Sequence, residues 1–213
     1  MRALRQKNAE NECVNKITLR GTIIRKFRKD DKWLVLTLLC TSTNSGDARK
    51  DTPSIYWYGE DIDMVDKAYV KGDHVTVDAT LVTNKRYKSE TIVGIDINDT
   101  PRELDTKFGP ENGGRFVADL NEVCLKGTLL HTFEPESSGG RLSIATVKVV
   151  IDGKAVFPQI SFFGRQLAKL RTMEPGATMC ILGHIQTRVQ HKGDESIYRQ
   201  SIVCHYVKET NNT

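Results

Sequence analysis

The chain has 213 residues with 31 Lys/Arg against 27 Asp/Glu, a net charge of +4. That excess permits an anionic partner but lacks the strongly basic footprint of many nucleic-acid binders, and it is uneven: residues 1–105 carry 18 cationic against 17 acidic side chains, residues 106–213 carry 13 against 10. No apolar run approaches the ~18 residues of a membrane span, and the N-terminus lacks a signal-peptide core, so the expectation is a soluble, cytoplasmic protein with no membrane partner, an organellar or nucleoid location being the alternative.

In chain order, Met1–Cys13 is a polar, mixed-charge lead-in. Lys16–Ile24 alternates Ile17, Leu19 and Gly21 against Lys16, Thr18 and Arg20, the period of two of a half-buried strand. Gly21 inside it predicts a bulge or sharp bend. Arg25–Lys32 reads as a charged turn, Trp33–Cys40 as a strand, Thr41–Thr52 as a loop and Ser54–Tyr58 as a third strand. Ile62, Val65 and Tyr69 fall at spacings of three and four, predicting one short amphipathic helix over Glu60–Tyr69. His74–Thr83 and Glu90–Ile97 are two more strands around a hairpin tip, Asn84–Ser89.

The plan then repeats. Asn15-Lys16-Ile17-Thr18-Leu19-Arg20-Gly21 returns as Asn121-Glu122-Val123-Cys124-Leu125-Lys126-Gly127, Ile55-Tyr56-Trp57-Tyr58-Gly59 as Ile160-Ser161-Phe162-Phe163-Gly164, and Lys71–Thr83 as Pro175–Thr187. A period of about 105 residues is one domain per copy, since solenoid repeats run ~20–50. The second copy predicts strands at Glu122–Leu130, Arg141–Ile151, Lys154–Phe163, Ala177–Arg188 and Ser196–Lys208, a helix at Arg165–Leu170, and a longer last tip over Val189–Glu195. Between the copies, Pro101, Gly109, Pro110, Gly113 and Gly114 mark a linker. The expected divisions are a lead-in at 1–13, domain 1 at 14–98, a linker at 99–120, domain 2 at 121–208 and a tail at 209–213. Three strands, a short helix and two strands describe a five-stranded Greek-key barrel, so the fold class is all-β with one short helix per domain: two tandem OB-folds.

Five cysteines form no CxxC pair, and Cys40, Cys124, Cys180 and Cys204 sit in apolar strand runs, which predicts buried free thiols in a reducing compartment. There is no Walker-type loop and no Gly-x-Gly-x-x-Gly before a helix. Asp61, Asp63 and Asp66 lack the glycine and distal glutamate of a calcium loop, and Cys204 and His205 point to opposite strand faces. No catalysis, metal or cofactor is expected.

The ordered set Asn-x-φ-x-φ-x-Gly-x-φ, φ-x-φ-φ-Gly and Gly-x-x-φ-x-φ-x-Gly-x-φ-x-Thr, where φ is apolar, resembles bacterial-type single-stranded DNA-binding proteins over Val14–Ile97 and Val123–Val207. The resemblance implies OB-folds that wrap single strands without catalysis, and dimerisation of a two-fold chain to give four OB-folds. It implies base stacking at Tyr58 and Phe163, just before the glycine, and at Phe157, where the family carries tryptophan. The chain departs from the family at Thr52, at Arg86 and Gln190, where a second tryptophan is usual, and at Lys208–Thr213, which lacks an acidic partner-recruiting tail.

Binding a strand without sequence preference needs cations for phosphates and flat side chains for bases. Arg25, Lys26 and Arg28 with Phe27 supply both in the first turn, and Lys85, Arg86, Tyr87 and Lys88 supply both in the last hairpin. The second copy offers Arg188, His191, Lys192 and Tyr198 there. Lys16, Arg20 and Lys126 lie on the polar faces of their strands, and Trp33 stands at the groove edge or in the core. Trp57 points opposite to Tyr56 and Tyr58; the alternation alone does not say which set lines the barrel. The acidic helix is expected to lie off the phosphate path. RNA binding and a protein-assembly scaffold are the competing readings.

Overall fold

The computed structural model describes residues 15–42, 49–84, 89–102, 119–192 and 195–210. The first copy contains strands β1 (Lys16–Lys29), β2 (Trp33–Ser42), β3 (Arg49–Asp51) and β4 (Ser54–Trp57), helix α1 (Asp61–Ala68), then β5 (His74–Asn84) and β6 (Ser89–Asp99). The second contains β7 (Asn121–Phe133), a 3-10 turn at Glu136–Ser138, β8 (Leu142–Ile151), β9 (Lys154–Val156), β10 (Gln159–Phe163), helix α2 (Gly164–Leu170), β11 (Thr178–Lys192) and β12 (Glu195–Glu209).

Strand pairing closes two rings. In the first, β1 pairs β2, β2 pairs β4, β4 pairs β6 in parallel, β6 pairs β5, and β5 returns to β1. In the second, β7 pairs β8, β8 pairs β10, β10 pairs β12 in parallel, β12 pairs β11, and β11 returns to β7. A five-stranded ring in this order is the OB-fold barrel. β3 and β9 are three-residue strands that pair β2 and β8 in the same register as β4 and β10. The chain divides into two units, Thr18–Ala79 with Ile92–Asn121, and Met1–Ile17 with Thr80–Thr91 and Glu122–Thr213; most of the first ring falls in the former and the second ring, but for Asn121, in the latter.

Alternation builds both cores. Leu34, Leu36, Leu38 and Cys40 of β2 and Ile55 and Trp57 of β4 point inward and are buried. Ala145, Val147 and Val149 of β8 and Ile160 and Phe162 of β10 do the same. Trp57 is therefore a core residue, and Tyr56 and Tyr58 face outward. Cys40, Cys180 and Cys204 are buried free thiols, and Cys124 is half-buried. Burial pushes the Cys40 thiol up, helped by Asp119 and Asp51. It pushes Cys204 up to about 12.

Four expectations about the elements need correction. The stretch Arg25–Lys29 is the continuation of β1, not a turn, because it pairs with Trp33–Thr37. The loop Thr41–Thr52 contains β3, and the single strand Lys154–Phe163 is two, interrupted at Phe157-Pro158 because proline has no N–H for the ladder. Pro53 fills the same role in copy one: Pro53 and Pro158 each accept a hydrogen bond from the neighbouring strand, at Leu38 (3.0 Å) and Val147 (3.1 Å). The bulges fall three residues beyond the glycines. Register jumps from Ile23↔Leu38 to Arg25↔Thr37, and from Leu129↔Val147 to His131↔Thr146. What Gly21 and Gly127 permit is close approach: a Cβ would lie 2.4 Å from the Leu39 carbonyl oxygen or 2.6 Å from that of Lys148.

Candidate nucleic-acid interface

The bulge at Ile24 decides which side chains of β1 share a face. One inserted residue reverses every later side chain, because the strand period is two. Before it, Thr18, Arg20 and Thr22 face outward; after it, Arg25, Phe27 and Lys29 do, opposite Thr37, Val35 and Trp33. Lys26 and Arg28 fall on the other side, against helix α1.

Four aromatic rings assemble on the outward face of β1, β2 and β4. Phe27 and Trp33 have centroids 5.4 Å apart, Trp33 and Tyr56 5.9 Å, and Tyr56 and Tyr58 6.2 Å with planes only 11° apart. These separations lie in the range where aromatic pairs attract, so the rings brace one another. Phe27 and Tyr58 are each 47 % exposed, leaving the row open to a flat ligand. Partial burial raises the Tyr58 phenol, with a further push from Tyr56, so the ring stays neutral well into alkali. Arg25 and Lys29 stand exposed beside Phe27. After Tyr58, Gly59 takes φ +80 to turn the chain toward α1 with open space around its Cα, so backbone conformation is what demands glycine there.

The cations expected in the first turn divide accordingly. Lys26 Nζ meets the Asp66 carboxylate at 2.7 Å and donates to the carbonyls of Asp66 and Tyr69. Arg28 reaches Asp66 (2.9 Å), Asp63 (2.6 Å) and Asp31 (2.8 Å). Hydrogen bonds from Lys26 and then Arg28 hold the Asp66 carboxyl below the usual range. The acidic face of α1 is thus neutralised by two residues of β1, and of the three turn cations Arg25 is the one on the aromatic side.

The remaining sequence-predicted residues are dispersed. Lys16 is exposed at the start of β1, and Arg20 Nε donates to Thr76 Oγ1 at 3.2 Å, turned toward β5. Lys126 is exposed on β7. Phe157 (43 %) lies exposed in the break between β9 and β10, Phe163 (38 %) at the end of β10, and Tyr198 on β12 is 71 % exposed. Arg188 is exposed and lies opposite Arg199 in the β11–β12 ladder, donating to Gln186 Oε1 at 2.9 Å. His191 and Lys192 have backbone places at the end of β11, opposite Ser196 and Glu195. Lys85, Arg86, Tyr87 and Lys88 lie outside the described residues. Phe27 is read from the sequence as the flat side chain of the first turn; Tyr56 and Arg199 are not read as binding residues. The signal for Tyr56 was present, since an aromatic at an outward position beside Trp33 suffices, but it needed the cross-strand register.

No protein-family model matches the chain, and no curated protein does. Among solved structures, the chain is similar to the wild-type single-stranded DNA binding protein from Thermus aquaticus, with a TM-score of 0.63 at 13 % identity, covering 93 % of this chain and 94 % of that one. A deletion and point variant of that same protein also gives 0.63 at 13 %, over 93 % and 95 %. At such low identity the likeness speaks for architecture. The class so defined is a tandem OB-fold protein, two barrels in one chain. No helix among the described residues is long and apolar enough to cross a membrane.

Proposed function

We propose that this chain is a non-catalytic protein that coats and protects single-stranded DNA largely without sequence preference, in replication, recombination or mobile-element transfer. The observation that carries the reading is the braced row Phe27, Trp33, Tyr56 and Tyr58 with Arg25 and Lys29 at its end. Successive bases stack on such rings at ~1–3 kcal/mol each while cations follow the phosphates. The similar solved structures bear the name of single-stranded DNA binding proteins, which supports the same substrate. The chain acts inside the cell as two domains, 14–98 and 121–208 joined by 99–120, and pairs with a second copy to present four OB-folds.

Trp33 makes the test direct. It is part-exposed on the row, whereas Trp57 is buried at 2 % and serves as a constant background. Titration with oligo-dT should quench Trp33 fluorescence, and log affinity should fall linearly with log salt, by about 0.7 for each phosphate neutralised. Absence of binding in low salt would end the proposal. Competition with oligo-U separates DNA from RNA, because the fold accepts either and the 2′-hydroxyl must be discriminated by individual contacts.

A further inference from the structure

The two barrels can be aligned by cross-strand register, independently of sequence similarity. Leu36 pairs Ile55 and Ala145 pairs Ile160; Val35 pairs Tyr56 and Ile144 pairs Ser161; Phe27 pairs Val35 and Phe133 pairs Ile144. Phe133 therefore stands where Phe27 does, Leu142 where Trp33 does, Ser161 where Tyr56 does, and Phe163 where Tyr58 does. The two middle rings of the row are missing from the second barrel. Phe133 (60 % exposed) and Phe163 (38 %) remain, and no ring contact joins them among the described residues. The cation is lost as well. His131, whose Nε2 lies 3.1 Å from Thr146 Oγ1, occupies the position of Arg25, and Pro135 that of Lys29.

Resting on the single-strand reading above, we propose that the two barrels are unequal: the β1–β2–β4 face is the base-stacking platform, with Phe27 and Tyr56 as binding residues beside Trp33 and Tyr58, and the β7–β8–β10 face contributes little stacking. A continuous row holds consecutive bases on rings already fixed by their neighbours, so little ordering is required on binding. Two separated rings with a serine and a leucine between them offer isolated contacts instead.

The test borrows each barrel's residues for the other. Trp33→Leu with Tyr56→Ser installs in the first barrel the side chains that the second tolerates at the same positions, which guards the fold; thermal melting checks it. In the full chain this pair should weaken oligo-dT binding about 30-fold or more, read by anisotropy of a labelled oligonucleotide, with the salt slope unchanged. Phe133→Ala with Phe163→Ala should weaken it less than about three-fold. The reverse graft, Leu142→Trp with Ser161→Tyr, should recover at least part of the affinity lost by the first pair. Equal losses from both pairs, or a larger loss from the second barrel, would overturn the inequality while leaving DNA binding intact. If the unaltered chain ignores oligo-dT at low salt, the functional reading itself fails and this inference with it.

Discussion

Inside the first barrel the Trp57 ring lies against Gly94 so closely that a Cβ there would sit 2.3 Å from it. In the second, the register places Phe162 and Cys204 at the corresponding positions, since Tyr56 pairs Val93 as Ser161 pairs Val203. One barrel fills this site with a large ring on a bare backbone, the other with a smaller ring and a thiol. This pair of core positions has thus drifted with compensation, while the four outer positions of the row have gone from four rings to two, the second barrel carrying a separate exposed ring at Phe157. A core must keep its total volume to remain packed. A face keeps its rings only if something else requires them, and on that argument the intact row of the first barrel marks the working surface.

The strongest way to break this comparison is to move one half of a compensating pair. Gly94→Cys alone should destabilise the first barrel by about 2–3 kcal/mol through overpacking against Trp57. Trp57→Phe alone leaves a void, partly offset because Trp57 Nε1 is buried with no hydrogen-bond partner among the described residues and phenylalanine has no such donor. The double variant recreates the pair found in the second barrel. It should be more stable than Gly94→Cys by at least 1 kcal/mol in urea unfolding followed by circular dichroism. Simple additivity of the two single costs would mean that the pairs are not coupled.

Much of this interior could be read from the chain. The alternation in Trp33–Cys40 and Ser54–Tyr58, the helix after Gly59 and the return of all of it near residue 120 follow from side-chain period and repeat. The outward face could not be read through, because strict counting along Lys16–Lys29 places Lys26 and Arg28 with Arg20. The extra residue Ile24 reverses them, and a bulge between two isoleucine-like positions has no compositional mark. Tyr58 was legible from the glycine that follows it. Tyr56 belongs to the site through Trp33, a cross-strand neighbour distant in sequence, which is a property of register. The proline breaks before Ser54 and Gln159 differ for another reason: the residue before each is extended, so the chain reads as continuous strand until the missing donor is counted.

The arms of the barrels offer a second, smaller contrast. Arg188 and Arg199 lie directly opposite in the β11–β12 ladder, an arrangement that costs stability unless an anion sits near both. Exchanging both for glutamine should lower the salt slope of oligo-dT binding by about 1.4 if each arginine meets one phosphate. The same change should leave the Trp33 quench intact and raise the melting temperature of the free protein slightly. A wild-type slope in the double variant would remove this pair from the phosphate path.

The smallest effect concerns how each barrel ties the end of its first strand to its helix. In the first, the cations Lys26 and Arg28 on β1 grip Asp66 on the helix; in the second the sign is reversed, with Glu134 after β7 bound by Arg171 just past α2 at 2.9 Å. Both carboxyls are held below their ordinary range, Asp66 chiefly by Lys26 and Glu134 by Arg171. A carboxyl whose folded value is depressed stabilises the fold above its unfolded value, ~3.9 for aspartate, and that contribution is lost as pH falls through the folded value. Melting temperature should therefore be level above about pH 5 and drop below about pH 4. Asp66→Asn removes the first barrel's share, so its curve should start lower at neutral pH and fall less steeply in acid, with the remaining slope carried by Glu134. Because Lys26 also donates to the Asp66 and Tyr69 carbonyls, which do not titrate, the helix keeps one tie that acid cannot cut. The Glu134–Arg171 bridge is matched by an Arg171 bond to the Gly140 carbonyl at 3.0 Å, so the two barrels, opposite in polarity, should lose comparable shares on acidification. An Asp66→Asn curve parallel to wild type below pH 4 would place the acid sensitivity elsewhere and dissolve the equivalence of the two ties.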